Sequence, residues 1–272
     1  MVRNTLRDIW DGGAPVLNGW LSIAGSFTAE IMAAQGYDAL TVDLQHGALD
    51  YTDALGMFQA MRASGVMIGA RVPWLEPGII MKMLDAGAMQ IICPMINTPE
   101  QAAEFVSYMR YPPKGQRSFG PTRAAIAQGP DFTARANEEV MGWAMVETQQ
   151  GFDNLDAIAA TPGLDGIYVG PADLTFSLQQ GRFRVGLDRE EPEMVDALKR
   201  IIAVCQKNGI KAALHCGTPD YAARAVGWGF DMVTVSGDSR LLASAASASV
   251  AAFRKATGSG VDNVTGKGDA AY

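Results

Sequence analysis

The sequence predicts an α/β protein with the fold of a (β/α)8 TIM barrel, formed by a single domain over residues 1–256. Two observations support this prediction: eight short apolar strands recur along the chain, and helix-like segments alternate with them over about 250 residues, the usual length of this barrel. An open doubly wound sheet is the main alternative. It is disfavoured because no GxGxxG fingerprint follows the first strand.

Each predicted strand is a short apolar run that ends in polar residues. In chain order the strands span Val16–Ser22, Ala39–Leu44, Val66–Val72, Met89–Pro94, Gly142–Glu147, Gly166–Gly170, Lys211–His215 and Asp231–Ser236. The helix-like segments include Ser26–Gln35, Ala54–Ser64, Pro77–Ala86, Pro99–Arg110, Glu193–Asn208 and a last helix over Ser239–Ala256. Several begin at a capping residue or proline and end at glycine, which are typical helix boundaries.

Two segments fall outside this repeat. The stretch Arg110–Asp131 is rich in proline and glycine, and loops of this length are usually functional or interfacial. Its Arg117 and Arg123 either contact an anionic ligand or face solvent. The last residues, 257–272, are small and polar and predict a flexible tail.

Composition excludes several classes of partner. The 22 basic and 29 acidic residues give a net charge of −7, which disfavours nucleic acid and anionic membranes. The sequence has no apolar run of about 18 residues and no signal-peptide pattern, so we expect a cytoplasmic protein. Cys93, Cys205 and Cys216 lack metal-type spacing and are expected to be buried, reduced thiols.

The barrel fold locates the candidate active site, because catalytic residues of such barrels lie at the carboxyl ends of the strands. The polar or aromatic residues at these ends are Trp20, Ser22, Asp43, His46, Arg71, Asn97, Glu147, Asp173, His215, Ser236 and Asp238. Both histidines of the chain are in this set.

Glu147 and Asp173 follow consecutive strands and are therefore expected to face each other. Two carboxylates without a nearby cysteine or histidine make an oxygen-rich site that suits Mg²⁺ or Mn²⁺. The alternative is a pair of ordinary acids that cap helices or face solvent.

Arg71 ends an otherwise apolar strand and stays charged there. It either stabilises an enolate or oxyanion, or forms a structural ion pair with Asp43 or Glu147. A divalent cation with Arg71 carries three positive charges, which the two carboxylates and one substrate carboxylate would balance. No lysine lies at a strand end, which argues against a Schiff-base aldolase.

The two histidines have different expected roles. His46 either moves protons near the oxyanion or bonds to backbone in its loop. His215 either orients the substrate or packs inside the barrel, and packing is the favoured interpretation.

Six motifs, in this order and spacing, resemble the HpcH/HpaI aldolase family over roughly residues 5–255: VDLQHG, GARVP, KMLDAGAMQIICPM, YPPKGQRSFGP, MVETQQG and YVGPADL. This family comprises metal-dependent class II pyruvate aldolases, including 4-hydroxy-2-oxoheptanedioate and 2-dehydro-3-deoxyglucarate aldolases. The resemblance implies reversible cleavage of 4-hydroxy-2-oxo acids into pyruvate or hydroxypyruvate and an aldehyde, through an enolate.

The resemblance also implies a role for each site residue. Glu147 and Asp173 would bind the divalent cation, Mg²⁺ or Mn²⁺ with Co²⁺ as a further possibility. Arg71 would stabilise the enolate, and His46 would transfer protons through a water with Asp43 nearby. The remaining candidates would bind substrate: Trp20 and the backbone of Gly170, Pro171, Ala172 and Asp173.

Oligomerisation follows from the same resemblance. The family pairs its active-site histidine with an aspartate that corresponds here to Asp85. This residue lies before strand 4, at the opposite end of its own barrel, and would reach the site from a neighbouring subunit. The family is typically a hexamer built from two trimers, often with the last helix exchanged.

Two departures from the family pattern concern the substrate. Met145 and Gln45 replace residues that are polar or acidic in other members. They argue against a heptanedioate-type substrate and leave open pyruvate or hydroxypyruvate with a small aldehyde. Two alternatives remain: a lyase of the citrate-lyase β or malyl-CoA type, and a non-catalytic barrel that binds a 2-oxo acid.

Overall fold

Eight parallel strands close into a barrel in the order in which they occur along the chain. The computed structural model describes residues 3–259. The strands are β1 (Val16–Leu21), β2 (Ala39–Asp43), β3 (Met67–Arg71), β4 (Gln90–Cys93), β5 (Met141–Met145), β6 (Gly166–Val169), β7 (Lys211–Cys216) and β8 (Met232–Val235). The predicted (β/α)8 fold is therefore confirmed, with each predicted strand present.

Most strands end one or two residues earlier than the apolar pattern predicts. Strand β5, for example, ends at Met145, although the N–H of Val146 still donates to the Tyr168 carbonyl at 3.2 Å. Apolar character continues past the last ladder bond because the barrel mouth is itself partly buried. Glu147 therefore lies just beyond the strand and not within it.

The helices surround the barrel, and most of them cover its apolar exterior. In the described part of the chain they are α1 (Thr5–Asp11), α2 (Ser26–Ala33), α3 (Tyr51–Met61), α4 (Pro77–Ala86), α5 (Pro99–Met109), α6 (Thr122–Gln128), α7 (Phe132–Glu139), α8 (Gln149–Asp153), α9 (Leu155–Ala159), α10 (Pro171–Gln179), α11 (Pro192–Asn208), α12 (Pro219–Trp228) and α13 (Asp238–Thr257). All the predicted helices are present, and α13 continues one residue beyond the predicted domain boundary.

Helix α1 is an element that the alternating pattern does not predict. Its N-cap Asn4 is fully buried, and the Asn4 amide donates to the Glu139 carboxylate at 2.7 Å. Trp10 of the same helix packs edge-on against Trp143, with ring centroids 6.1 Å apart. The helix therefore closes the amino-terminal end of the barrel, opposite the candidate site.

The stretch Arg110–Asp131 is not a continuous loop, and this part of the prediction is wrong. It contains α6, which the flanking Gly-Pro and Gly-Pro-Asp turn signals obscured in the sequence. Its irregular part is also anchored, since the Arg117 amide donates to the Arg110 carbonyl at 2.9 Å.

Three further predictions concern the cysteines, membrane-spanning helices and the carboxyl-terminal tail. Cys93, Cys205 and Cys216 are buried free thiols, as expected, and burial raises the pKa of each. Within residues 3–259, no helix has the length and apolar composition required to cross a membrane. Most of the predicted flexible tail lies outside the described residues.

Candidate active site

A pocket of about 200 Å³, open to solvent, lies at the carboxyl ends of the strands. Its size suits a small molecule of a few carbon atoms. Its lining includes most of the predicted site residues: Trp20, Asp43, His46, Arg71, Glu147, Gly170, Pro171, Ala172, Asp173 and His215. Asp85 is absent from this lining.

Arg71 and Asp43 form a buried ion pair at the pocket floor. The Arg71 Nε donates to Asp43 Oδ1 at 2.8 Å, and Nη2 donates to Oδ2 at 2.6 Å. Trp20 Nε1 donates to the same Oδ2 at 3.1 Å, and its ring lies under the guanidinium. No described residue accepts a hydrogen bond from Arg71 Nη1, which is therefore available to a ligand. The two predicted roles of Arg71, an ion pair with Asp43 and an oxyanion donor, are thus compatible with each other.

The ion pair fixes the charge of both partners. Burial opposes ionisation of the Asp43 carboxyl, but the hydrogen bonds and charge of Arg71 outweigh it and lower the Asp43 pKa. Burial likewise opposes the charge of Arg71, and Asp43 outweighs it to raise the Arg71 pKa. Both side chains are charged at neutral pH.

The same Asp43 carboxylate organises the turn that carries His46. Its Oδ1 accepts the backbone amides of Gln45 at 3.1 Å and His46 at 3.3 Å. Gly47 closes the turn, because its backbone N–H donates a hydrogen bond to the Asp43 carbonyl at 3.1 Å, and a Cβ at Gly47 would overlap that carbonyl oxygen. The exposed His46 is therefore held at the pocket rim by the residue that binds Arg71.

Glu147 is buried in the pocket wall just after β5, two strands around the barrel from the strand of Arg71, and one of its carboxylate oxygens is hydrogen-bonded. Its Oε1 accepts the amide of Met95 at 3.0 Å, for which Met95 adopts a left-handed φ of 57°. No described residue donates to Oε2. Burial raises the Glu147 pKa to about 7, against the Met95 hydrogen bond, and the Asp173 charge adds to the rise.

Position 170 requires a glycine because its backbone lies very close to the Glu147 side chain. A Cβ at Gly170 would overlap Glu147 Oε2. The backbone φ of −92° is accessible to any residue, so packing and not conformation demands glycine here.

Asp173 lies in the first turn of α10, and its carboxylate makes no hydrogen bond to any described residue. Gly170 caps this helix without a side-chain acceptor, so the amides of Ala172 and Asp173 face no capping oxygen. Such amides bind anions well. Pro171 has no N–H, however, so its predicted role as a backbone donor is wrong, although it does line the pocket.

The donors at Glu147 and Asp173 fit a hard divalent cation. No described residue donates a hydrogen bond to Glu147 Oε2 or to the Asp173 carboxylate, and both side chains line the pocket, so their oxygens are available to coordinate a cation. In residues 3–259, no group of three or more histidine, cysteine or acidic side chains could hold a metal. A cation here would therefore keep several coordination positions for water and substrate.

A hydrogen-bonded network below the pocket includes several residues that the sequence analysis did not select. The Tyr168 hydroxyl lies 3.2 Å from His215 Nδ1 and 2.7 Å from Thr234 Oγ1, which also accepts from Asn18 at 2.8 Å. His215 packs edge-on against Trp20 at 4.9 Å. Side chains alternate between the inside and the outside of the barrel along each strand. Counting this alternation along β1, β6 and β8 could have predicted that Asn18, Tyr168 and Thr234 point inward.

His215 both packs and lines the pocket, so its two alternatives are not exclusive. Burial lowers the His215 pKa to about 3, and the nearby positive charge of Arg71 adds to this effect. The imidazole is therefore neutral near pH 7 and can act as a hydrogen-bonding partner but not as a cation.

Asp85 lies at the other end of the barrel in its own chain. Its carboxylate accepts from Arg117 Nη2 at 2.6 Å, and the Arg117 side chain is fully buried over the Tyr111 ring. Arg123 bonds the Ala86 carbonyl at the end of α4. Neither arginine lines the pocket, so the chain's own Arg117 and Arg123 do not contact a ligand there.

Five further pocket residues were missed: Met145, whose position was noted only as a departure, and Leu187, Gly237, Ser239 and Arg240. Ser239 and Arg240 directly follow Asp238, which the sequence analysis did place at a strand end. Because α13 begins at the barrel mouth, its first residues could have been predicted to line the pocket.

The chain is similar to known proteins over most of its length. Residues 19–245 match the family described as HpcH/HpaI aldolase/citrate lyase. A hydroxypyruvate/pyruvate aldolase of Rhizorhabdus wittichii is 37% identical over 243 residues, covering 89% of this chain and 96% of that protein. A 5-keto-4-deoxy-D-glucarate aldolase of Klebsiella pneumoniae is 34% identical, covering 87% and 91%.

Solved structures show the same likeness. A crystal structure of an HpcH/HpaI aldolase/citrate lyase family protein from Burkholderia cenocepacia superposes with a TM-score of 0.84 at 33% identity. The match covers 92% of this chain and 99% of that one.

Proposed function

This chain belongs to the HpcH/HpaI aldolase/citrate lyase family, and on that premise we propose that it is a metal-dependent class II aldolase. Its substrates would be 4-hydroxy-2-oxo acids, cleaved reversibly between C3 and C4 into a pyruvate-type enolate and an aldehyde. The observation that carries this proposal is Arg71, whose Nη1 remains available at the pocket floor while Asp43 fixes the rest of its guanidinium.

Arg71 would stabilise the negative charge that develops on the substrate. As the C3–C4 bond breaks, its electron pair moves to C3 and onto the oxygen at C2. Nη1 would donate a hydrogen bond to that oxygen in a partly buried site, where such a donor is most effective. Because Asp43 and Trp20 already hold the guanidinium, little reorientation accompanies the reaction.

The substrate carboxylate would bind beside the metal ligands. The amides of Ala172 and Asp173 have no capping side chain and point from the start of α10. Glu147 and Asp173 would hold a divalent cation, with Mg²⁺ and Mn²⁺ as the proposed ions and Co²⁺ as a further possibility. When bound, the cation would polarise the 2-oxo carbonyl and lower the energy of the enolate.

His46 would move the proton. In cleavage, a water linked to His46 would take the proton from the C4 hydroxyl as the C3–C4 bond breaks. In the reverse direction the same group would return it. The Asp43 carboxylate supports this role because it binds the His46 amide and so fixes the turn.

The small-molecule partners would be pyruvate or hydroxypyruvate and an aldehyde. The relatives named as hydroxypyruvate/pyruvate aldolases support this pair of nucleophiles. The absence of nucleic-acid and membrane partners and the cytoplasmic location stay predictions from composition.

We further propose a homo-oligomer, specifically a hexamer of two trimers with α13 packed on a neighbouring chain. Of the 20 residues in α13 only Asp238 is buried, and Leu242 and Phe253 are 64% and 67% exposed. Helix α2 also exposes Phe27. In this assembly Asp85 of one subunit would approach His46 of the next.

Deuterium exchange at the methyl group of pyruvate, followed by NMR in D₂O, tests the proposal. Exchange should require a divalent cation, stop in EDTA and fall strongly in Arg71→Ala. Exchange that continues unchanged in either condition would contradict the mechanism. Assays with coenzyme A thioesters separate the citrate-lyase alternative, and oxalate binding without turnover of any aldol would indicate a non-catalytic binding protein.

A further inference from the structure

His215 is a polar side chain of the pocket to which the proposed mechanism assigns no step. Its Nδ1 lies 3.2 Å from the Tyr168 hydroxyl, whereas no described residue forms a hydrogen bond with its Nε2. Because the imidazole lines the pocket, Nε2 is the ring nitrogen that a bound molecule can reach. One edge of the ring is therefore fixed by the protein, and the other is open to a ligand.

The partners of Tyr168 determine which nitrogen of the imidazole carries the hydrogen. Thr234 Oγ1 accepts a hydrogen bond from the Asn18 side-chain amide at 2.8 Å, and Thr41 donates to the Asn18 side-chain carbonyl at 3.1 Å. The Thr234 hydroxyl must donate its own hydrogen elsewhere, and the Tyr168 oxygen, 2.7 Å away, is its one acceptor among the described residues. The Tyr168 hydrogen then points to His215 Nδ1. A neutral imidazole that accepts at Nδ1 carries its hydrogen on Nε2, so His215 offers an N–H donor to the pocket.

The neutral state of the imidazole limits what this donor can bind. Burial lowers the His215 pKa to about 3, so the ring carries no charge near pH 7. Carboxylates and phosphates are bound more strongly by charged donors such as a guanidinium, whereas a neutral N–H suits an uncharged oxygen. A nitrogen that carries a hydrogen also cannot bind a metal ion. We therefore expect a hydroxyl or carbonyl oxygen opposite Nε2.

His215 lies between the two proposed anchors of the nucleophile. The Trp20 ring packs edge-on against His215 at 4.9 Å and lies 4.8 Å from the central carbon of the Arg71 guanidinium, so one aromatic ring contacts both side chains. Strand β7 also neighbours β6, which leads into the amides of Ala172 and Asp173 at the start of α10. Of the three groups on C2 of a 2-oxo acid, Arg71 would bind the oxygen and these amides the carboxylate. The third group, C3, would then face His215.

We propose that His215 determines the choice of nucleophile by donating a hydrogen bond to a hydroxyl group on C3. The preferred nucleophile is then a 3-hydroxy-2-oxo acid, such as hydroxypyruvate, and the corresponding aldol is a 3,4-dihydroxy-2-oxo acid. In cleavage of this aldol, the C4 hydroxyl loses its proton as the aldehyde forms, C3 gains a proton, and the C3 hydroxyl is unchanged. This role rests on the proposed aldolase function and selects between its two nucleophiles.

The test compares hydroxypyruvate with pyruvate in the exchange of their C3 hydrogens for deuterium, followed by NMR in D₂O without aldehyde. Exchange measured without enzyme is subtracted. The ratio of the two kcat/KM values, hydroxypyruvate over pyruvate, isolates the contact with the C3 hydroxyl, because the two molecules differ only there. We expect His215→Phe, whose ring lacks an N–H, to lower this ratio roughly 2- to 10-fold, the effect of one neutral hydrogen bond. His215→Gln places an amide N–H near the position of Nε2 and should retain most of the ratio.

Tyr168→Phe tests whether the hydrogen-bonded network orients the donor. Without the phenolic hydrogen, Nδ1 of His215 has no donor partner, and the imidazole hydrogen is no longer confined to Nε2. The ratio should therefore fall part of the way towards that of His215→Phe. A purely structural role of Tyr168 would lower both kcat/KM values equally, and the resulting unchanged ratio would overturn the assignment of the hydrogen to Nε2.

Three further results would overturn the inference. An unchanged ratio in His215→Phe would show that the imidazole donates nothing to the C3 hydroxyl. Equal decreases in His215→Phe and His215→Gln would assign the effect to packing. A higher kcat/KM for pyruvate than for hydroxypyruvate in the wild type would contradict the proposed preference. Absence of exchange with both nucleophiles in the wild-type enzyme would instead refute the aldolase function itself.

Discussion

Asp43 and Arg71 are register partners on the adjacent strands β2 and β3, and two parallel hydrogen bonds join them at 2.8 and 2.6 Å. Side chains at paired positions of parallel strands point to the same face, so the ladder itself sets the geometry of this ion pair. Asp43 also binds the amide of His46. One carboxylate thus positions both the proposed enolate donor and the proposed proton carrier.

Replacement of Arg71 by lysine should abolish most of the activity although the charge is retained. A lysine cannot bond both Asp43 oxygens in parallel and also donate to the substrate. We expect pyruvate methyl exchange to fall by roughly 10²- to 10³-fold, as for the loss of an oxyanion donor. Arg200→Lys, at an exposed position of α11, is the matched control. Exchange at wild-type rate in Arg71→Lys would show that geometry matters less than charge.

Asp43→Asn should destabilise the protein more than removal of the whole pair. The substitution leaves the Arg71 charge buried without a carboxylate, at a cost of about 3–5 kcal/mol in the free energy of unfolding. In the double variant Asp43→Asn, Arg71→Met this cost should largely disappear, because no uncompensated charge remains. Urea denaturation of both variants measures the difference, and equal destabilisation of the two would contradict this interpretation.

Gly170→Ala should weaken metal binding without unfolding the barrel. The added Cβ would displace Glu147 from its position, while the backbone at Gly170 tolerates alanine. We expect Mn²⁺ affinity, measured by calorimetry, to decrease about 10- to 100-fold, as when support of a metal ligand is lost. Gly56→Ala is the control, because Gly56 lies in the middle of α3 with open space for a Cβ. This variant should bind Mn²⁺ normally, and its free energy of unfolding should rise by ~0.5–1 kcal/mol.

His215 should make stability increase with pH below its usual pKa. The folded-state pKa is lowered to about 3, so between pH 3 and about 6.5 the unfolded chain binds the extra proton. The folded state therefore loses stability as pH falls through this range. From pH 7 to pH 5 the wild type should lose about 2 kcal/mol more than His215→Gln. Identical pH dependence in urea denaturation would show that the histidine is protonated in the fold.

Phe253→Asp should disrupt the oligomer. Phe253 is 67% exposed on α13 in a single chain, and we expect a neighbouring chain to cover it. An aspartate there would bury an unpaired charge in the interface, so light scattering after size exclusion should report a smaller assembly. Lys255→Ala, on the same helix, should keep the wild-type mass. An unchanged mass for Phe253→Asp would exclude this face from the interface.

The barrel could be predicted because its signals are local. Each strand is a short apolar run, and proline and glycine mark many of the helix boundaries, as at Pro77 and Gly87 of α4. Helix α1 and helix α6 were missed for the same reason: neither belongs to the alternating repeat, and turn residues surround α6. The strand ends also placed Asp43, Arg71, Glu147 and Asp173 correctly at one pocket.

The sequence by itself determined the fold, the polar set at the barrel mouth and the absence of a Schiff-base lysine, since strand ends converge in any closed parallel barrel. Only the tertiary structure decided which partner each charge finds. It paired Arg71 with Asp43, directed Arg117 to Asp85 and left Arg240 unpaired in the pocket. These outcomes depend on distances between residues far apart in the chain, and no local pattern encodes those distances.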